Sequence, residues 1–150
     1  MTQFFQFEAD FVESLRCIPM QVRLKLDTCG IKLKLPQWHQ FTQDDRQTLL
    51  ELPCETLTEV HTYRNVLTQL VQERTGTAAS TLAIDPTPPW LDTTTIPASV
   101  QAKAQEVGAT ITLDQWDQLL VAERFALIKL SRSNHENANF LPALKEFHVL

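Results

Sequence analysis

Glycine is scarce in this chain, with three residues in 150, and tyrosine occurs once. Turn-rich all-β folds need many glycines, whereas the abundant leucine, glutamine, glutamate and alanine favour helices. No segment approaches the roughly 20 apolar residues of a membrane-spanning helix. The first residues lack the basic and apolar regions of a signal peptide. We therefore expect an all-α protein with no membrane partner.

Cysteine is also rare, and its odd number, three, without a secretory signal indicates free thiols in a reducing cytoplasm. Basic residues are in deficit, and the net charge of −5 argues against a nucleic-acid partner, because phosphate binding needs a dominant basic face. Glycine-rich phosphate loops, dinucleotide fingerprints and the Gly-x-Ser-x-Gly motif are absent. We expect a cytoplasmic protein that is not an enzyme and has no cofactor.

An internal repeat is the strongest positive feature of the sequence. Residues 18–52 align without a gap on residues 96–130 at a constant offset of 78, with 12 identities in 35 positions. Each half alone, at roughly 75 residues, would be marginally stable. We therefore predict a single helical bundle domain built from two pseudo-symmetric three-helix half-repeats, residues 17–76 and 96–150, joined by a linker at 77–95.

The first segment of each copy gives two conflicting patterns. Residues 20–35 alternate apolar and polar side chains around Gly30, which is typical of a β-hairpin. The equivalent residues 98–108 are rich in strong helix formers, begin after a proline and end at Gly108, as a helix does. We predict a helix in both copies, followed in the first by a short extended connection at 31–35.

A tryptophan helix comes next in each copy. In the second copy we predict one helix over residues 112–130, capped by Thr112 with Gln115. Its apolar side chains fall on one stripe: Trp116, Leu119, Leu120, Leu127 and Leu130. In the first copy Thr42 fits a second N-cap, which leaves open a break in that helix. A third helix closes each half, over residues 55–75 in the first.

Two tryptophans and two arginines repeat at equivalent positions. Trp38 and Trp116 begin the apolar stripes, so we expect them to be core anchors and not ligand platforms. Arg46 and Arg124 follow eight residues later, about two turns along the same side. Two interpretations stay open: structural ion pairs, or two arginines that meet across a pseudo-two-fold axis.

The cysteines also allow two interpretations. Cys17 and Cys29 lie at opposite ends of the predicted first helix, roughly 15 to 18 Å apart, too far for a shared metal or a disulfide. If the tryptophan helix runs back antiparallel, Cys54 returns to the Cys17 end, which predicts a metal or redox site with His61 nearby. Alternatively, the thiols are buried and pack as small hydrophobic side chains.

The candidate partner surfaces are a basic strip and a proline-rich segment. Over residues 16–34 five cations face a single acid, Asp27. We call them the basic strip: Arg16, Arg23, Lys25, Lys32 and Lys34. The strip is either a partner contact or a solvated face. The segment Pro-Thr-Pro-Pro-Trp90 is extended, and it either presents Trp90 to another protein or folds the linker over the bundle.

A long composite string of residues extends through the chain. It comprises residues 7–33, Gln37-Trp38, Leu52-Pro53-Cys54, Trp116, Glu123-Arg124 and residues 139–147. This string resembles the nitrate reductase-associated protein family of cyanobacteria. The likeness extends over most of the chain. It implies a small cytosolic accessory protein needed for active nitrate reductase, a ferredoxin-dependent enzyme with a molybdenum cofactor and an iron–sulfur cluster. It brings no catalytic residues.

Two functional hypotheses follow from the sequence. The first is an interaction protein that binds nitrate reductase and supports its maturation or activity, with the basic strip and Trp90 as contacts. The alternative is a protein that handles a metal, an iron–sulfur cluster or the molybdenum cofactor through Cys17 and Cys54.

Overall fold

The computed structural model describes residues 5–9, 17–132 and 139–149. This part of the chain is mostly helical, as the composition predicts, and its strands form one two-stranded sheet.

The chain divides into two compact units. The first centres on Ala9–Ile84, and the second joins Asp85–Leu150 to Phe5–Glu8. The division falls inside the predicted linker, so each predicted half-repeat lies within one unit. That the two units form a single domain stays a prediction.

The first unit contains four helices and two short strands among its described residues. In chain order they are α1 Met20–Cys29, β1 Ile31–Lys32, α2 Leu35–Gln40, α3 Gln43–Glu51, α4 Leu57–Thr75 and β2 Ser80–Thr81. Helix α4 packs against the three shorter helices, and α1 also packs against α3.

Helix α1 replaces the β-hairpin that alternation alone would favour. It begins directly after Pro19 and ends at Gly30, whose φ of 77° lies in the left-handed region that glycine adopts without strain. The Gly30 N–H closes the helix by donating to the carbonyl of Leu26 at 2.9 Å. The predicted extended connection is also present, since β1 pairs antiparallel with β2.

The core of the first unit forms around α4. Thr56 caps its first turn, and Gly76 ends it with φ of 73°. Its buried positions follow the helical spacing of four residues. They are Tyr63, Leu67 and Val71. Trp38, from α2, packs in the same core with no exposed surface, as expected for a core anchor.

The second unit repeats this order of helices. Its elements are a 3₁₀ turn Gln6–Glu8, a 3₁₀ turn Pro89–Leu91, α5 Ala98–Glu106, α6 Leu113–Gln118, α7 Val121–Arg132 and α8 Phe140–Glu146. Helix α7 is fully buried at Phe125, Leu127 and Leu130, and Trp116 of α6 is equally buried. Helices α5, α6 and α7 each begin 78 residues after α1, α2 and α3.

The prediction of one continuous helix over residues 112–130 is wrong. The chain leaves the helix at Leu119, whose φ of −69° and ψ of 151° are extended, and re-enters it at Val121. The guanidinium of Arg124 binds the carbonyl of Leu119, so the end of α6 is satisfied without a continuing helix. Leu120 therefore leaves the apolar stripe and is exposed.

The first testable prediction concerns the two glycines that end α1 and follow α5. Both Gly30 and Gly108 have positive φ, but a Cβ on Gly30 would lie 2.8 Å from Ile84 Cγ1, whereas nothing lies within 4 Å of one on Gly108. We expect Gly30→Ala to lower the free energy of unfolding by about 1–3 kcal/mol more than Gly108→Ala, because only Gly30→Ala adds overpacking to backbone strain. Urea unfolding measures both. Equal losses would contradict the close contact.

Candidate functional site

The basic strip is only partly available on the surface of the first unit. Lys32 and Lys34 are exposed, one in β1 and one directly before α2. Arg23 is half-buried, and its Nε donates to the carbonyl oxygen of Ile18 at 3.2 Å. Arg16 lies outside the described residues. Among the described residues of the strip, the exposed ones are therefore Lys32 and Lys34.

Lys25 has a structural contact that the sequence did not indicate. Its ammonium donates to the carbonyl oxygens of Leu50 and Leu52, both at 2.7 Å, and lies 5.7 Å from the centre of the Tyr63 ring. These carbonyls lie where α3 ends and has no further backbone donors of its own. Burial lowers the pKa of Lys25, while its electrostatic interactions with Cys54 and Glu55 oppose that change. Lys25 thus caps the end of a helix in its own unit.

The three cysteines are free thiols in different environments. Cys17 is half-buried, whereas Cys29 and Cys54 are buried in the core. The Cys54 sulfur lies 3.9 Å from the Lys25 carbonyl oxygen, in the middle of α1 and not at its Cys17 end. Burial raises the pKa of Cys29, and it raises that of Cys54 to about 12.

These environments favour the interpretation of Cys29 and Cys54 as packed thiols. A metal ligand or nucleophile must be a thiolate, and a raised pKa keeps the thiol neutral. His61, the third residue of the predicted site, is exposed on α4. Within the described ranges, no three His, Cys, Asp or Glu side chains are gathered as a metal site requires. The pairing of Cys17 with Cys54 stays a prediction.

The two repeated arginines bind main-chain carbonyls, and among the described residues neither forms the ion pair that the sequence suggested. Arg46 donates from Nε to the carbonyl of Trp38 at 3.1 Å and from Nη2 to that of His39 at 3.0 Å. In the second unit, Arg124 binds the carbonyl of Trp116 at 3.2 Å. Each guanidinium therefore caps the tryptophan helix of its own unit. The repeated spacing of eight residues is the sequence signal for this role.

Arg124 has a further contact in the proline-rich segment. Its Nε donates to the carbonyl of Trp90 at 2.7 Å, and the Trp90 ring packs edge-to-face on Phe125 with centroids 5.0 Å apart. The indole N–H of Trp116 donates to the carbonyl of Asp92 at 3.0 Å. The segment is thus folded onto the second unit, but Trp90 keeps part of its surface exposed.

The described fold and its internal contacts define a small helical protein in which Lys25, Arg46 and Arg124 cap its own helix ends. Residues 4–147 match the profile of the conserved nitrate reductase-associated protein family, and the chain belongs to that family. No curated protein and no solved structure gives a significant match. In the part of the chain that the structure describes, no helix has the length and apolar character needed to cross a membrane.

The burial of the cysteines predicts a difference in thiol reactivity. We expect iodoacetamide to modify Cys17 at least about tenfold faster than Cys29 or Cys54, because only Cys17 has substantial exposure and both buried thiols have a raised pKa. Mass spectrometry of native protein sampled over time measures the three rates. The same reaction in urea is the control, where the rates should converge. Rapid native labelling of Cys54 would contradict its burial.

The buried acids predict a loss of stability at alkaline pH. Between pH 9 and about 12 the folded chain keeps the Cys54 proton that the unfolded chain releases, so the free energy of unfolding falls as pH rises. Burial also raises the pKa of Cys29 and Tyr63, which adds to the same trend. The lowered pKa of Lys25 makes the free energy of unfolding rise with pH, but this one group opposes three buried acids.

Urea unfolding at intervals from pH 8 to 11 measures this dependence. We expect Cys54→Ala to be less stable than the parent at pH 8 but to lose less stability as the pH rises, because the variant has one fewer buried acid. A parallel pH dependence in the two proteins would show that Cys54 does not contribute.

Proposed function

We propose that this chain is an accessory protein that binds nitrate reductase and supports its maturation or activity in nitrate assimilation. The observation that carries the proposal is the family match over residues 4–147, which includes almost all of both units. The family is described by its association with nitrate reductase, and the proposed role gives that association a direct physical basis.

Lys32 and Lys34 are the first-choice contact for the reductase. Both are exposed and close in sequence, and no acidic residue lies between Asp27 and Asp44. Exposed cations at the rim of an interface accelerate encounter with an acidic surface and contribute to specificity. Lys25 is excluded from the contact because its ammonium is held by two carbonyls of its own unit.

The proposed role includes no reaction catalysed by this chain. The groups with strongly raised pKa, Cys54 and Tyr63, belong to the packed core, and the Tyr63 hydroxyl donates to the Leu49 carbonyl at 2.8 Å. A neutral thiol and an engaged phenol are weak nucleophiles. We also propose that the protein is cytoplasmic, where free thiols persist.

The two units are further proposed to be pseudo-symmetric half-repeats of one bundle. The equal offset of three helix starts supports this, as do the matching arginine caps on the carbonyls of Trp38 and Trp116. An accessory role allows the copies to differ, and the exposed lysine pair belongs to the first copy alone.

Co-purification tests the proposed contact. We expect Lys32→Glu with Lys34→Glu to reduce recovery of nitrate reductase by about tenfold, because the substitution replaces attraction by repulsion at the rim. The fold should tolerate it, since both side chains are exposed and a carboxylate before α2 is favourable at a helix N-terminus.

The matched control is Arg132→Glu with Lys145→Glu, which changes the net charge equally at two exposed positions of the second unit. Full recovery with the Lys32 and Lys34 variant would reject this surface. No recovery with the parent chain would reject binding itself.

Reductase made without this chain should be less active, and its cofactor content distinguishes failed maturation from impaired turnover.

A further inference from the structure

Leu120 occupies a position where a polar residue would stabilise the fold. It immediately precedes α7, and its carbonyl accepts the main-chain N–H of Arg124 at 3.0 Å, which places Leu120 at the N-cap of α7. Its side chain is 68% exposed and has no oxygen to accept a helix N–H. In the first unit the equivalent residue is Thr42, whose hydroxyl accepts the N–H of Asp45 at 3.0 Å.

A second exposed leucine lies at the same end of the unit. Arg124 binds the carbonyls of both Trp90 and Leu119, so one guanidinium joins the segments that precede Leu91 and Leu120. Leu91 is 56% exposed, and Trp90 is half-buried against Phe125. We name this surface the leucine patch: Trp90, Leu91 and Leu120.

Carboxylates lie around the leucine patch. Asp92 directly follows Leu91, and the carboxylate of Glu123 accepts the Leu120 N–H at 2.8 Å. Asp117 is exposed, and its charge acts on Arg124. The charge of Arg124 is buried beneath the carbonyls that it binds. Lys129 is a further cation of α7, with its ammonium 5.2 Å from the Phe125 ring centre.

The geometry points to the leucine patch as a docking site for a basic amphipathic segment of a partner protein. The partner's apolar side chains would pack on Trp90, Leu91 and Leu120, and its lysine or arginine side chains would lie beside the carboxylates of this chain. Exposed apolar side chains with a charged rim are typical of protein interaction surfaces. The acidic rim selects a basic partner. An apolar residue in place of a capping one lowers stability, which is a common cost of a residue kept for binding.

This inference goes beyond the proposed function, and its test needs no reductase. The probe is a synthetic amphipathic helix of leucine and lysine, titrated into the full chain, with a leucine and glutamate helix as its counterpart. Trp90 reports binding, since Trp38 and Trp116 are fully buried. We expect a blue shift of tryptophan emission with the lysine peptide, weakened by salt through screening, and none with the glutamate peptide.

The decisive variant is Leu120→Thr, which restores the cap found at Thr42. We expect it to raise the melting temperature and, combined with Leu91→Ser, to weaken peptide binding by about tenfold, because stability and affinity then change in opposite directions. The matched control is Leu57→Thr, at a 76% exposed leucine that begins α4 of the first unit. It should bind as the parent does.

Three results would overturn the inference. They are unchanged affinity in the Leu91 and Leu120 variant, an equal loss in the Leu57 variant, and equal binding of both peptides. Sedimentation of the chain alone measures its oligomeric state. If the parent chain self-associates and Leu120→Thr abolishes this, a second copy of the chain occupies the patch in place of a basic partner. None of these results bears on binding of nitrate reductase through Lys32 and Lys34.

Discussion

The fold depends on cations that satisfy the carbonyl ends of short helices. Helices α2 and α6 have six residues each, so most of their carbonyls have no partner within the helix. Arg46 and Arg124 supply donors to those carbonyls, and Lys25 does the same for α3. Without such donors, each break between helices would leave buried polar groups without hydrogen bonds, at a cost of about 1–3 kcal/mol for each group.

The same constraint shapes the surface. Because several cations are used internally, the charge available to a partner differs from what the sequence suggests. Lys25 leaves the basic strip, and Arg124 binds main-chain carbonyls of the two segments that carry the leucine patch. The exposed lysine pair belongs to the first unit, and the leucine patch with its neighbouring acids belongs to the second. Two such surfaces would give the proposed accessory role two different partner segments to contact.

Much of the fold could be predicted because the repeat allowed one copy to correct the other. Alternation in residues 20–35 favours a hairpin, and only the second copy reveals the helix. The break at Leu119 was missed because Leu120 has no capping oxygen, whereas the equivalent Thr42 signals the break in the first copy. The arginine that binds the Leu119 carbonyl acts through main-chain oxygens, which any sequence possesses. The orientation of Lys25 was missed for the same reason. The leucine patch depends on Arg124 joining two segments distant in sequence, which no local pattern reveals.

The four carbonyls bound by Arg124 have a consequence for local unfolding. One side chain holds the 3₁₀ turn at Trp90, the end of α6 at Trp116 and Asp117, and the connection at Leu119. Segments held by hydrogen bonds to one side chain open together, because releasing one segment weakens the remaining hydrogen bonds of that side chain. We therefore expect this end of the second unit to open as one cooperative foldon, with its amides exchanging their hydrogens in a common opening and not segment by segment.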